Sequence, residues 1–131
     1  MNTIKASVSN IQSVDNLSIV SFEVDTRTMK MMSLGLNTDI KVGSQVILGV
    51  KSSSILIAKG LSGMISSSNQ LKCLVKNVNN GELLSSVKLE FSNFLIESVI
   101  TKDSSLKMNL QEGDEVLALI KASELSILEV L

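Results

Sequence analysis

Two hydroxyl residues, Thr101 and Ser104, stand three positions apart after an apolar run in the second half of the chain. Thr101 is a residue type that caps helices, and it predicts a short helix with Asp103 in its first turn. Leu106 and Leu110 are expected to face inward. Two hydroxyls beside free backbone N–H groups could bind an oxyanion. The alternative is that Thr101 only caps the helix, and the carboxylate of Asp103 counts against an anion unless it points away.

The composition excludes most catalytic and metal chemistry. The chain has no His and a single Cys, which excludes zinc sites, Cys–His nucleophiles and histidine bases, so we predict no catalytic residues and no metal-cation ligands. A net charge of −1 and 2% aromatic residues argue against a nucleic-acid partner. No apolar run approaches the roughly 18–20 residues that span a membrane, and no signal-peptide pattern is visible. We therefore expect a cytoplasmic protein that is not an enzyme.

Two other polar features could join the hydroxyl pair. Lys121 follows an apolar run where the chain turns, and residues 65–69 read Ile-Ser-Ser-Ser-Asn. Considered singly, a lysine on a small protein is usually a solvated surface charge, and a serine-rich stretch is a linker. Only their arrangement in the fold could make them a site.

The elements that must position these residues are strands. Apolar and polar residues alternate along residues 20–24 and 87–91, which is typical of half-buried strands. Turn signals such as Asn80-Gly81 and Gly113-Asp114 separate many short runs of this kind. The pattern predicts an all-β protein built as a small barrel or sandwich.

An internal repeat organises the strands. Asn2 corresponds to Asn69 at a shift of 67 residues, and Lys51 corresponds to Lys121 at a shift of 70. The chain is therefore predicted to hold two homologous units, 1–60 and 65–131, joined by a glycine-containing segment. Although Ile-Lys-Ala-Ser occurs at both 4–7 and 120–123, the repeat places the first copy in an opening strand and the second at the end of a late one.

The order of these motifs resembles the Mop domain of molbindins, within the TOBE group. The second unit carries Ser-Ser-Ser-Asn-Gln-Leu-Lys, Ile-Thr-Lys-Asp-Ser, Leu-Gln-Glu-Gly-Asp-Glu-Val and Leu-Ile-Lys-Ala-Ser in the family's order. The first unit matches more weakly. A pair of such units filling nearly the whole chain is similar to a tandem di-Mop molbindin.

The resemblance implies two tandem OB-like five-stranded β-barrel units, each with at most a short helical turn. It also implies binding of molybdate or tungstate between Mop units, with no organic cofactor. A tetrahedral dianion needs many neutral donors and limited positive charge, which agrees with the residue types present. Carried over position by position, the family's oxyanion-binding residues fall on Thr101, Ser104, Lys121, Ala122, Ser123, Ser66, Ser68 and Asn69.

Departures from the family pattern affect the first unit most. The family arginine is replaced by Ser68, which removes a cation and a bidentate donor. The first unit has neither the serine-rich segment nor Thr-x-x-Ser. It keeps Lys51, Ser52 and Ser53 as weaker candidate ligands. Ser67 of the second unit is a weaker candidate of the same kind.

Three functions remain open from the sequence. The first is intracellular storage, buffering or homeostasis of molybdate or tungstate. The second is the oxyanion-sensing effector domain of a molybdate-responsive transcription regulator that lacks its DNA-binding part, and the third is a generic OB-like binding module. We expect a homo-oligomer, with a trimer favoured and a dimer as the alternative. The apolar segment 125–131 is predicted either to pair with a neighbour or to form an ordinary edge strand.

Overall fold

The computed structural model describes residues 1–131, and its regular structure is almost entirely β. The strands are β1 (Asn2–Val14), β2 (Leu17–Val24), β3 (Arg27–Leu34), β4 (Gln45–Val50), β5 (Leu56–Ala58), β6 (Asn69–Asn80), β7 (Leu84–Phe91), β8 (Phe94–Thr101), β9 (Glu115–Ile120) and β10 (Ser126–Val130). A first 3₁₀ turn covers Ser52–Ser54 and a second covers Ala122–Glu124. The one α-helix, α1 (Lys102–Lys107), has six residues. No helix has the length and apolar character needed to cross a membrane. The predicted all-β fold with a short helical turn is confirmed.

The strands form two five-stranded sheets, and each sheet includes one strand from the other half of the chain. Sheet 1 has the order β10-β4-β1-β2-β3, and sheet 2 has the order β5-β9-β6-β7-β8. β10 pairs with β4, whereas β5 pairs with β9. The sequence units 1–60 and 65–131 thus exchange their last strands, and neither sheet is built from one unit alone. The apolar C-terminal segment is an edge strand of its own chain.

Alternating side chains of the strands build one continuous core. Six apolar residues of β2 and β7 are at most 2% exposed, namely Val20, Phe22, Val24, Val87, Leu89 and Phe91. They belong to a single cluster of 25 buried residues that draws on both sheets. Burying such a side chain contributes about 1.5–3 kcal/mol, so a shared core supports units that are each too small to bury much surface alone.

The register of the two sheets follows the sequence repeat. Asn2 pairs with Val50 in sheet 1, and Asn69 pairs with Ile120 in sheet 2. The residue after each of these late strands begins a 3₁₀ turn with nearly the same backbone angles. For Lys51, φ and ψ are −68° and 141°, and for Lys121 they are −65° and 141°. The two lysines are therefore structural equivalents.

The two halves are joined by a reciprocal pair of asparagines. The Asn2 carboxamide donates to the Glu97 carbonyl and accepts from the Glu97 N–H, both at 2.8 Å. The Asn69 carboxamide does the same with Lys30, at 2.9 and 2.7 Å. Each carboxamide therefore bonds to the outer edge of the other half's third strand in the way a neighbouring strand would, and it satisfies backbone groups that would otherwise be unpaired.

Candidate functional site

The two 3₁₀ turns meet where the halves of the chain face each other. The Ser54 hydroxyl of the first turn donates to Oε2 of Glu124 in the second turn, at 3.1 Å. Each turn closes with the backbone N–H of its last residue donating to the carbonyl of the lysine before it, at 2.9 Å in both. Lys51 and Lys121 thus lead into two matching turns that contact each other through their last residues.

A cleft with a cavity volume of about 360 Å³ opens beside this contact. Four of its residues were sequence candidates, namely Ser53, Ser66, Ser67 and Lys121, and two polar ones, Ser54 and Glu124, were not. The sequence repeat could have identified Ser54 and Glu124 as neighbours of the site, because the shift of 70 residues that relates Lys51 to Lys121 also relates Ser54 to Glu124. The cleft combines residues from the first turn, the second turn and the serine-rich segment.

Lys121 is available to a ligand in this cleft. Its side chain is exposed, and the three salt bridges of the chain involve Lys59, Lys76 and Lys107, which leaves Lys121 unpaired. Ser53 and Ser66 are also exposed. One ammonium group among several hydroxyls is a donor set suited to an anion that needs many hydrogen bonds and limited charge compensation.

Ser67 and Asn69 are tied to the protein. The Ser67 hydroxyl donates to the carbonyls of Asn69 and Ile120, at 3.0 and 3.3 Å. The Asn69 side chain is fully buried, and its amide nitrogen donates to the carbonyls of Lys30 and Ile120. The role of Asn69 in oxyanion binding stays a prediction, but both of its amide hydrogens are occupied in this structure. Ser68 is exposed and does not line the cleft.

Thr101 and Ser104 form a local pair away from the cleft lining. Thr101 caps α1 by accepting from the backbone N–H of Ser104 at 3.1 Å, and its hydroxyl donates to the Ser104 hydroxyl at 2.9 Å. Both residues are exposed. Asp103 forms a salt bridge with Lys107 at 3.0 Å, which directs its carboxylate along the helix. The capping prediction is confirmed, and neither hydroxyl residue lines the cleft that contains Lys121.

The inward face of α1 differs from the prediction at one position. Leu110 is buried as expected, but Leu106 is 58% exposed and the prediction for it is wrong. Ser105 is buried in its place, and its hydroxyl donates to Oδ1 of Asn80 at 3.0 Å. Because a helix of six residues makes fewer than two turns, a small rotation of the helix about its axis determines which of two neighbouring residues faces the sheet.

The other candidates lie around the two turns. Lys51 is exposed, Ser52 and Ala122 are half-buried, and Ser123 lines a different groove between β3 and β10. The second turn packs against β3 of the first half, and the first turn packs against β8 of the second half. The candidates thus lie at the junction of the two halves rather than inside either sheet.

Two ionisable groups have clearly shifted pKa values, and neither lines the cleft. Burial raises the pKa of the Cys73 thiol to about 11, which keeps it protonated at neutral pH. The ammonium group of Lys59 hydrogen-bonds to Asp114 at 2.9 Å and lowers the pKa of that carboxyl. No group of three or more His, Cys, Asp or Glu side chains is placed to hold a metal ion.

Comparison with known proteins gives one family model and a set of similar solved structures. The family model of the TOBE domain matches residues 65–127. The cytoplasmic molybdate-binding protein ModG, solved with molybdate bound, superposes with a TM-score of 0.91 over 96% of this chain and 94% of its own, at 23% identity. A molybdate-binding protein from Sporomusa ovata matches at 31% identity and a TM-score of 0.50, over 51% of this chain and 100% of its own. A comparison with curated protein sequences gives no match.

Proposed function

The chain belongs to the TOBE domain family, as a tandem pair of Mop-type units, and from this premise we propose that it binds molybdate or tungstate in the cytoplasm as a store or buffer. Two solved structures similar to it are molybdate-binding proteins, and the sequence motifs resemble those of the Mop domain. Reversible binding of this kind requires no acid, base or redox group, in keeping with a protein that is not an enzyme.

The observation that carries the proposal is the cleft between the two 3₁₀ turns. It is lined by Lys121, whose ammonium group forms no salt bridge, and by Ser53, Ser66 and Ser67, of which Ser67 already donates its hydroxyl to backbone carbonyls. A tetrahedral dianion has four oxygens, each of which accepts hydrogen bonds, and a single nearby cation offsets part of its charge without fixing it irreversibly. Hydroxyl-rich binding also suits release, because the ligand leaves without covalent change.

A second copy of the chain is proposed to complete the site. Thr101 and Ser104, which the family resemblance makes ligands, do not line the cleft that holds Lys121. Sites between Mop units of different chains would reunite these two sets. In addition, apolar side chains of both edge strands of sheet 1 are exposed, with Leu34 at 74%, Leu128 at 49% and Val130 at 41%. Such surface favours association, and we propose a homotrimer, with a dimer as the alternative.

Calorimetric titration of the chain with molybdate, tungstate and sulfate tests the function. We expect saturable heat with molybdate and tungstate, and a much weaker response to sulfate. Absence of heat with both molybdate and tungstate at millimolar concentration would reject the proposal. Measuring the mass of the particle with and without molybdate by light scattering tests the oligomer in the same samples.

A further inference from the structure

The cleft beside the two 3₁₀ turns contains one carboxylate, that of Glu124. Glu124 lines the cleft together with Lys121 and Ser54, and its Oε2 accepts a hydrogen bond from the Ser54 hydroxyl at 3.1 Å. A carboxylate is an unexpected neighbour for a site that binds a dianion. It repels the ligand, and it uses a donor that the ligand could otherwise use.

The internal repeat shows that this carboxylate is specific to one half. Glu124 ends the second 3₁₀ turn, and the residue that ends the first turn is Ser54. If both turns ended in serine, two hydroxyls would meet between the halves of the chain, and both could donate to an anion. In this chain the Glu124 carboxylate stands in place of one of these donors, and it accepts a hydrogen bond from the other, the Ser54 hydroxyl.

We propose that Glu124 acts as an internal competitor of the oxyanion, holding the Ser54 hydroxyl and lowering the affinity of the cleft so that the ligand exchanges readily. This inference rests on the proposed function and concerns the regulation of the same site. An arriving oxyanion displaces the Glu124 carboxylate from Ser54 and takes over its hydrogen bond. On release, the carboxylate returns to the hydroxyl, so that the empty cleft keeps a satisfied donor.

The competition has two separable physical parts. The first is repulsion between the carboxylate and a dianion, which is screened by salt because Glu124 is exposed. The second is the occupied Ser54 hydroxyl, which salt does not release. Removing the side chain should therefore tighten binding at every ionic strength, and most strongly at low ionic strength.

The test compares molybdate dissociation constants by calorimetry for Glu124→Ala, Ser54→Ala and the double variant. We expect Glu124→Ala to bind molybdate about three- to tenfold more tightly, the size expected for one exposed like charge and one freed donor. Ser54→Ala alone removes both the hydrogen bond to Glu124 and the one that the ligand would take over, so we expect it to weaken binding less than it does in the Glu124→Ala background. The same substitution in the Glu124→Ala background should weaken binding several-fold, which makes the two effects non-additive.

Glu112→Gln is the matched control, because Glu112 is an exposed acid in a turn outside the cleft and its substitution makes the same change in net charge. Thermal unfolding without ligand checks that every variant is folded. If wild type binds molybdate and Glu124→Ala binds no more tightly than Glu112→Gln, the inference is overturned and the proposed function stands. If only Glu124→Ala binds, the competitor is confirmed. If neither wild type nor any variant binds, the proposed function fails and the inference fails with it.

Discussion

The side chain of Leu128 occupies the space that a side chain at Gly49 would need. A Cβ atom at Gly49 would lie 2.6 Å from Cδ1 of Leu128, which is closer than carbon atoms approach. The repeat shift of 70 residues relates Gly49 to Leu119 and Leu128 to Ala58, so the large and small residues are interchanged in the two halves. β10 thus fits closely against β4 at this point, and we expect this fit to favour the exchanged strand pairing.

The first prediction concerns this pair. Gly49→Ala should lower the free energy of unfolding by about 1–3 kcal/mol, because the new methyl group overpacks against Leu128. Denaturant unfolding measures the effect. Adding Leu128→Ala to Gly49→Ala should recover part of the loss, since it clears the space. A Gly49→Ala protein as stable as wild type would show that the close approach does not select the pairing.

The second prediction concerns the asparagine that bonds to β3. Asn69→Ala should lower the free energy of unfolding by about 1–3 kcal/mol, because it leaves the Lys30 backbone groups and the Ile120 carbonyl without this partner. Asn79→Ala, at an exposed position of the same strand, is the control and should change stability little. Equal losses in the two variants, measured by denaturant unfolding, would argue against the inter-half bond as the cause.

The third prediction tests the cation of the cleft. Lys121→Ala should weaken molybdate binding by at least about tenfold, because it removes the charged donor. Lys76→Ala makes the same charge change at a lysine whose ion pair with Glu90 is long, at 3.9 Å, and it should bind like wild type. Calorimetric titration of both variants decides the assignment, and unchanged affinity in Lys121→Ala would remove this lysine from the site.

The fourth prediction separates capping from ligand binding at Thr101. Thr101→Ala removes both the cap and the hydroxyl, and it should cost about 1 kcal/mol of stability as well as molybdate affinity. Thr101→Ser keeps a hydroxyl that can cap the helix and bind the ligand, so it should retain both the stability and the molybdate affinity of wild type. If Thr101→Ala loses stability but binds molybdate normally, Thr101 only caps the helix.

The fifth prediction follows from the lowered pKa of Asp114. A carboxyl whose pKa in the folded state lies below its ordinary value of 3.8 stabilises the fold at pH values above 3.8. It loses this contribution as the pH falls through the folded-state pKa. Asp114→Asn should therefore lower the thermal midpoint at pH 7, and the difference from wild type should shrink towards pH 3. Asp39→Asn removes one charge at an exposed acid without an ion pair, and it is the matched control. A constant difference across this range would assign the effect to packing.

Local patterns in the sequence were sufficient to predict the strands, the start of α1 and the equivalence of two lysines. Alternation along residues 20–24 and 87–91 predicted the strands and their buried faces, because side chains of a strand alternate between its two sides. Thr101 predicted the start of α1, because its hydroxyl satisfies a free N–H within the same few residues. The repeat predicted that Lys51 and Lys121 are equivalent, since related units fold alike.

The tertiary structure alone decided which strand completes each sheet, what Asn69 does and which residues meet in the cleft. These features depend on contacts between residues far apart in the chain, such as Ser54 with Glu124 and Asn69 with Lys30. Periodicity states which face of a strand is buried but not which strand lies beside it. The volumes at Gly49 and Leu128 have consequences only when the two strands are adjacent, and the charge of Glu124 matters only because the fold brings it to Ser54.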